Sequence, residues 1–447
     1  MKRLLFVLLA SLALAAQGRI IEESFQRDPG PLDFIHGEGH EQAILQALAG
    51  DALVGLDTQG RPVPRLALAW STRGKTTRLR LRGDASFADG TTLKPEDVVW
   101  TFQSIQADPT ASPTKRGILD GVAVTAAGQD ILVTSPRPPE RLLRELGRIP
   151  IAKKGTASMG SGPFRCDRRG GEWFFMARTH FLHPQIPGFH FRMVPDENGI
   201  LDALQKGWLH IGVPPARKNL QPTAERREIR QPTHAQAVVW SRQKGALKWL
   251  EHWRRDAFPE GFLGAKGRPS RGLWPESLGH PALEIAGDLP AKPGRLELQY
   301  AAGDDYLQKV LMALRARAGK DGVDLDLRPV DSALLYQHLT EGKFQLACAM
   351  VLFDPHPWAV LEYVEPKGPM NFTGWSHPRL ATLLPRLQSA KAPEWRDLQE
   401  VWAGDPAALP LLDFTSVVWV DARLDVSPSP LGLYLTTPGP SGWRWIR

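Results

Sequence analysis

Two short stretches concentrate side chains with chemistry to offer. Asp354-Pro355-His356-Pro357-Trp358 puts a carboxylate, an imidazole and an indole within five residues. Such a set can pair with an amine, hydrogen-bond a polar group and stack on an apolar one. The alternative is a rigid proline-rich turn with a solvated Asp. His36-Gly37-Glu38-Gly39-His40-Glu41 gathers two histidines and two glutamates, types that ligate metals. Residue 44 is Ile, so the stretch is not H-E-x-x-H, and Gly37 and Gly39 disfavour a helix presenting both histidines on one face. His36 and His40 are the metal candidates; a solvated or ligand-contacting loop is the competing reading.

Patterns for catalysis are missing. There is no G-x-S-x-G elbow, no P-loop, and no dinucleotide fingerprint following a strand. Gly160-Ser161-Gly162-Pro163 is glycine-rich but lacks the Lys-Ser/Thr of a phosphate cradle. Cys166 and Cys348 are the only cysteines, and Cys348 sits in an apolar run. Two buried thiols are expected rather than a disulfide or a nucleophile. The chain reads as a binding protein with no cofactor, not an enzyme.

The elements around Asp354–Trp358 give that stretch its weight. Leu296–Tyr300 reads as a strand, and Tyr306, Leu307, Val310, Leu311 and Leu314 make a helical stripe. Val323–Leu327 alternates as a strand, Asp331 caps a helix that Gly342 ends, and Phe344–Leu352 is an apolar strand. This β-α-β-α-β order predicts a doubly wound parallel sheet, whose ligands bind beyond the carboxyl ends of its strands. Strand 344–352 points its carboxyl end at Asp354–Trp358.

Earlier in the chain, Arg78–Phe102 reads as a strand, two turns and a helix start. Leu79 and Leu81 alternate with arginines, Asp89-Gly90 turns the chain, and Pro95-Glu96-Asp97 opens a helix whose stripe is Val98, Val99, Phe102 and Ile105. The helix 41–48, the hairpin 122–133 around Gly128-Gln129 and the short helix 141–146 complete this part. Trp173–Arg178 is a strand. Residues 189–207 form a strand, a helix capped by Asp196 and a glycine stop, and Leu209–Val213 closes a β-α-β unit. The last helices are expected from His377, broken by Pro385, and around Trp395–Trp402, before the strand Leu409–Leu412.

The run L-R-x-x-x-x-F-x-D-G-x-x-L-x-x-x-D-V-V within 79–99 resembles the signature of the family 5 extracellular solute-binding proteins, the dipeptide, oligopeptide and nickel receptors of ABC importers. Four further passages resemble family elements in family order: Leu53–Trp70, Gly160–Phe164, Val194–Gly207 and Asn371–Trp375. The segment 249–294 departs from the pattern and looks trimmed. The resemblance implies an α/β, two-lobed periplasmic binding protein fold (type II-like) with mixed, doubly wound sheets and an extra small subdomain. It implies a first lobe over 16–240 with an inserted subdomain at about 40–159, a second lobe over 241–412, and a return to the first lobe over 413–447.

By family position, Phe34, His36, Trp240, Asn371, Phe372 and Trp375 join Asp354, His356 and Trp358 as ligand-contact candidates; the aromatics alternatively pack in the core. In peptide-binding relatives an Asp holds the α-amino group of the peptide, and alignment on Asp354-Pro355 puts Val351 at that position. Either Asp354 substitutes, or the ligand lacks a free amine. The implied ligand is a peptide or peptide-like solute and the implied partners are ABC permease subunits. A sensor or degenerate scaffold, or a receptor for a metal chelate or oligosaccharide, is the alternative.

Composition agrees with a soluble, exported chain of two or three domains. The 447 residues are 42% hydrophobic and 23% charged, with a formal charge of +7 spread without a basic block, so no nucleic-acid partner is expected. Lys2-Arg3 followed by the apolar run Leu4–Leu14 predicts a signal peptide over 1–15. No cysteine follows it for lipidation, so a free periplasmic or secreted monomer is expected.

Overall fold

A computed structural model describes residues 19–58, 60–215, 220–259, 261–264, 266–275, 285, 287–352, 360–366, 368–389, 395–406, 408–426, 434 and 439–446. The expected signal peptide and Asp354, His356 and Trp358 lie outside these residues.

The signature stretch folds as its pattern dictates. In the strand Thr76–Leu81, Thr77, Leu79 and Leu81 are buried while Arg78 and Arg80 face solvent. The helix Pro95–Ala107 begins with Pro95, and the Lys94 N–H donates to Asp97 Oδ2 at 2.8 Å, satisfying a donor at the helix start. Val98, Phe102 and Ile105 pack on a four-stranded sheet of Ala67–Arg73, Thr76–Leu81, Asp130–Thr134 and Ala123–Ala127. This is the small subdomain.

A second four-stranded sheet builds the body of the first lobe. Ile21–Phe25 runs parallel to Gly188–Met193, which pairs antiparallel with Glu172–Ala177, followed by Phe164–Arg169. Phe25 and Phe191 stack at 4.5 Å, and Trp443 closes this core. The glycines at Gly160-Ser161-Gly162 serve close approach rather than unusual dihedrals. A Cβ on Gly160 would lie 2.3 Å from the Ala49 carbonyl oxygen, and one on Gly162 2.5 Å from the Ala49 carbonyl carbon.

The second lobe has the β-α-β-α-β order expected. Arg295–Ala301 pairs parallel with both Asp324–Val330 and Leu346–Leu352, and Asp305–Lys320 and Ser332–Glu341 are the helices. Asp331 caps the second helix through the N–H groups of Ala333 and Leu334. The sheet does not end there. Leu346–Leu352 pairs antiparallel with Arg226–Ser241, which pairs antiparallel with Ala408–Asp421. The far end of Ala408–Asp421 pairs with the short first-lobe strand Ile211–Gly212. Two long strands, of 16 and 14 residues, thus run through both lobes.

Their register slips between Pro232 and Gln236 and again between Ala237 and Val238. Pro232 has no N–H to give to the ladder, so pairing is weakest where the lobes meet.

Pro385 does not break its helix, contrary to expectation. Leu380–Ser389 runs through it, because Leu380, Leu383 and Leu387 bury one continuous stripe in the second-lobe core. That packing outweighs the single lost backbone bond. Cys348 is buried and Cys166 partly so; both are free thiols. Among the described residues no helix is long and apolar enough to cross a membrane.

Candidate functional site

A cavity of about 490 Å³ lies between the lobes, inside the ~300–1,000 Å³ range of small-molecule sites. Its first-lobe wall comes from the loop at Gly37–His40, the inward face of the helix His40–Ala49, and the subdomain at Ser112–Lys115 and Arg148. Tyr336, Met350, Val351 and Met370 supply the second-lobe wall. Thr233, Ala235 and Phe414–Ser416, beside the break in the crossing strands, form the floor.

Lys115 is the most unusual group on this wall. It is buried, and its Nζ donates to the carbonyl oxygen of Phe34 at 2.9 Å, to Gln46 Oε1 at 3.0 Å and to the Gly37 carbonyl at 3.4 Å. Burial pushes its pKa down to about 8 against the pull of Glu38 and Asp33. Glu38 accepts from the Ser112 hydroxyl and from the Thr114 N–H. Arg65 pairs with Asp51 at 2.6 Å. Tyr336 reaches in from the helix Ser332–Glu341, and its phenol is raised to about 12 by burial. His40 is exposed and opens onto the cavity, and desolvation between the facing walls lowers its pKa.

Ion pairs join the lobes around the rim. Arg141, on the subdomain helix Pro139–Leu146, bonds both oxygens of Glu365, at 2.7 and 3.1 Å. Burial works against its charge, but Glu145 and Glu365 outweigh it and hold Arg141 above its usual pKa. Arg148 pairs with Glu362 at 2.8 Å. Arg27 donates to Glu41 in the first lobe and to Ser332 Oγ in the second, each at 3.2 Å.

The six described ligand candidates from sequence are not among the residues lining this cavity. Phe34 is fully buried in the first-lobe core, pressed against Gly50 and Gly160. His36 is exposed and hydrogen-bonded to Asp33 and Asp108, which raise its pKa despite some desolvation. Trp240 is buried, donates its indole N–H to the Met370 carbonyl, and packs on Phe372 and Tyr363. Asn371 staples a turn, bonding the carbonyls of Glu365 and Trp375 and the Trp375 N–H. Trp375 is partly buried and its indole N–H has no partner.

Of the metal candidates, only His40 faces the cavity. Among the described residues no group of three or more His, Cys, Asp and Glu is placed to hold a metal ion. Val351, singled out in sequence, does line the cavity. Lys115, Tyr336 and Arg148 were not anticipated.

Solved solute-binding proteins share this fold over nearly the whole chain. DppA from Helicobacter pylori, in complex with the peptide STSA, superposes with a TM-score of 0.82 at 15% identity, covering 98% of this chain and 100% of that one. The murein tripeptide binding protein MppA of Escherichia coli gives 0.80 at 16% identity, covering 96% and 99%. NikA of Staphylococcus aureus in complex with Ni(L-His)2 gives 0.78 at 14%, covering 94% and 98%. No curated protein matches in sequence. Residues 61–242 match the family described as bacterial extracellular solute-binding proteins, family 5 Middle. The resemblance to family 5 read from the sequence motifs is matched by this family over residues 61–242.

Proposed function

We propose that the chain is the substrate-binding component of an ABC importer, closing two lobes on a peptide or peptide-like small solute and delivering it to permease subunits outside the cytoplasmic membrane. The observation that carries this reading is the cavity itself, walled by both lobes and floored by the strands whose register breaks. A ligand there touches both lobes only when they are closed, so its binding energy favours closure. The match of residues 61–242 to family 5 and the similar structures bound to a peptide and to a nickel–histidine complex support the same role. No step of covalent chemistry is required.

The test is solution scattering. Protein stripped of solute by unfolding and refolding should contract when small molecules extracted from its native preparation are restored. An unchanged radius of gyration would refute the role.

A further inference from the structure

We propose that Glu38 determines which solute the interlobe cavity accepts, its unengaged carboxylate oxygen receiving an ammonium group of a peptide-like molecule. This rests on the binding role proposed above and deepens it.

Glu38 lines the cavity and is partly buried. Its carboxylate is held through one oxygen. Oε1 accepts from the Ser112 hydroxyl and from the Thr114 N–H at 3.4 Å. Ser112 is itself fixed: it is buried, its N–H donates to the Ile35 carbonyl at 3.0 Å, and its Oγ accepts from the Lys115 N–H at 3.1 Å. Among the described residues nothing donates to Oε2, and no cation forms an ion pair with Glu38. The cations on the same wall are engaged elsewhere. Lys115 gives its donors to the Phe34 and Gly37 carbonyls and to Gln46 Oε1, Arg65 pairs with Asp51, and Arg148 pairs with Glu362.

An ionised carboxylate is an acceptor on both oxygens, and water can serve Oε2 while the cavity is open. A solute that fills the cavity displaces that water, so it must bring a donor to Oε2 or leave part of a charge unsatisfied. An ammonium N–H meets this need best, because a charge-assisted hydrogen bond is roughly twice as strong as one between neutral groups. Glu38 also acts across the cavity. Burial first and then the Glu38 charge hold the Tyr336 phenol up to about 12, so the carboxylate stands within electrostatic reach of the second-lobe wall. A solute anchored on Oε2 is therefore placed to touch both lobes.

Three dipeptide amides test this by calorimetric titration into the full solute-free chain. Leu-Phe amide carries an α-ammonium, N-acetyl-Lys-Phe amide a side-chain ammonium, and N-acetyl-Leu-Phe amide neither. At least one ammonium form should bind at least about tenfold more tightly than the neutral one, and which form does so tells a terminal amine from a side-chain amine. Glu38→Gln keeps an acceptor oxygen for Ser112 and Thr114 but presents an amide where Oε2 stood. It should abolish the ammonium advantage and leave the affinity of the neutral form unchanged. A neutral form that binds as tightly as both ammonium forms overturns the proposal, and so does an ammonium advantage that survives the substitution. Silence from all three peptides overturns it as well, and the scattering experiment, which uses the small molecules of the native preparation, decides separately on the binding role. Should Glu38→Gln fail to melt cooperatively, Glu38→Ala repeats the comparison with the same expected loss, and the three peptides on the native sequence decide by themselves.

Discussion

Ion pairs join the two lobes, and Glu365→Gln isolates the contribution of one of them. Arg141 and Glu365 meet through two hydrogen bonds with side chains only 6% and 16% exposed, so salt screens them weakly. Arg141 retains Glu145 at 2.7 Å within its own helix whether the lobes are open or closed. Only the interlobe half of the network is therefore lost. A hydrogen bond between charged groups is worth about 1.5–3 kcal/mol net, so the closed-to-open ratio should fall about 10- to 150-fold.

Pulsed electron paramagnetic resonance reads that ratio directly, with spin labels on Thr125→Cys in the subdomain and Lys320→Cys in the second lobe, both at exposed positions. The native thiols should stay silent. Burial pushes Cys166 up to about 12 and holds Cys348 well above its usual pKa. In solute-free protein the long-distance population should grow in Glu365→Gln, and solute affinity should drop in proportion. An unchanged distance distribution together with unchanged affinity would refute the latch.

Two other perturbations follow from local geometry. Gly162→Ala places a methyl group 2.5 Å from the Ala49 backbone, so we expect a loss of about 1–3 kcal/mol or more. A Tm within about 1 °C of the parent would contradict that packing. Burial, opposed by the Tyr434 hydrogen bond, raises Glu23 from the usual 4.5 to about 8. The folded state keeps a proton that the unfolded chain releases, so stability should fall as pH rises from about 4.5 to about 8 and then level off. By area Glu23 is only partly buried, so the slope should be shallower than full burial would give. Glu23→Gln should flatten it in denaturant titrations across that range, and a slope unaltered by the substitution would exclude Glu23 as its source.

Much of the fold was legible because its signals are local. Period-2 alternation marks Thr76–Leu81, proline and acidic residues mark the start of Pro95–Ala107, and Asp196 and Asp331 cap the helices expected of them. The long crossing strands were only half visible. Their polar first-lobe portion, such as Arg226–Arg230, alternates little, and its pairing with Val417–Asp421 joins residues nearly 200 positions apart. Pro385 misled because a local rule yielded to packing that the neighbouring pattern does not announce.

The site was the least legible part. Lys115 sits in a short helix like any surface lysine, and the oxygens that bury it come from Phe34, Gly37 and Gln46. Trp240 and Phe34 carry the same apolar surface whether they line a cleft or fill a core, and the core is where they lie. Val351 was readable because a missing carboxylate is itself a signal once the strand is aligned. It borders the cavity, though its side chain is buried in the second-lobe core.

The claim that the interlobe cavity holds a small solute is tested most directly by native mass spectrometry of protein prepared without denaturation, beside the variant Ala43→Trp. Ala43 lines the cavity from the helix His40–Ala49, and an indole there fills the space a solute needs. The native protein should carry a discrete small-molecule adduct that unfolding releases, and the folded variant should not. An adduct-free native protein that stays closed, or an adduct retained equally by the variant, would contradict the account.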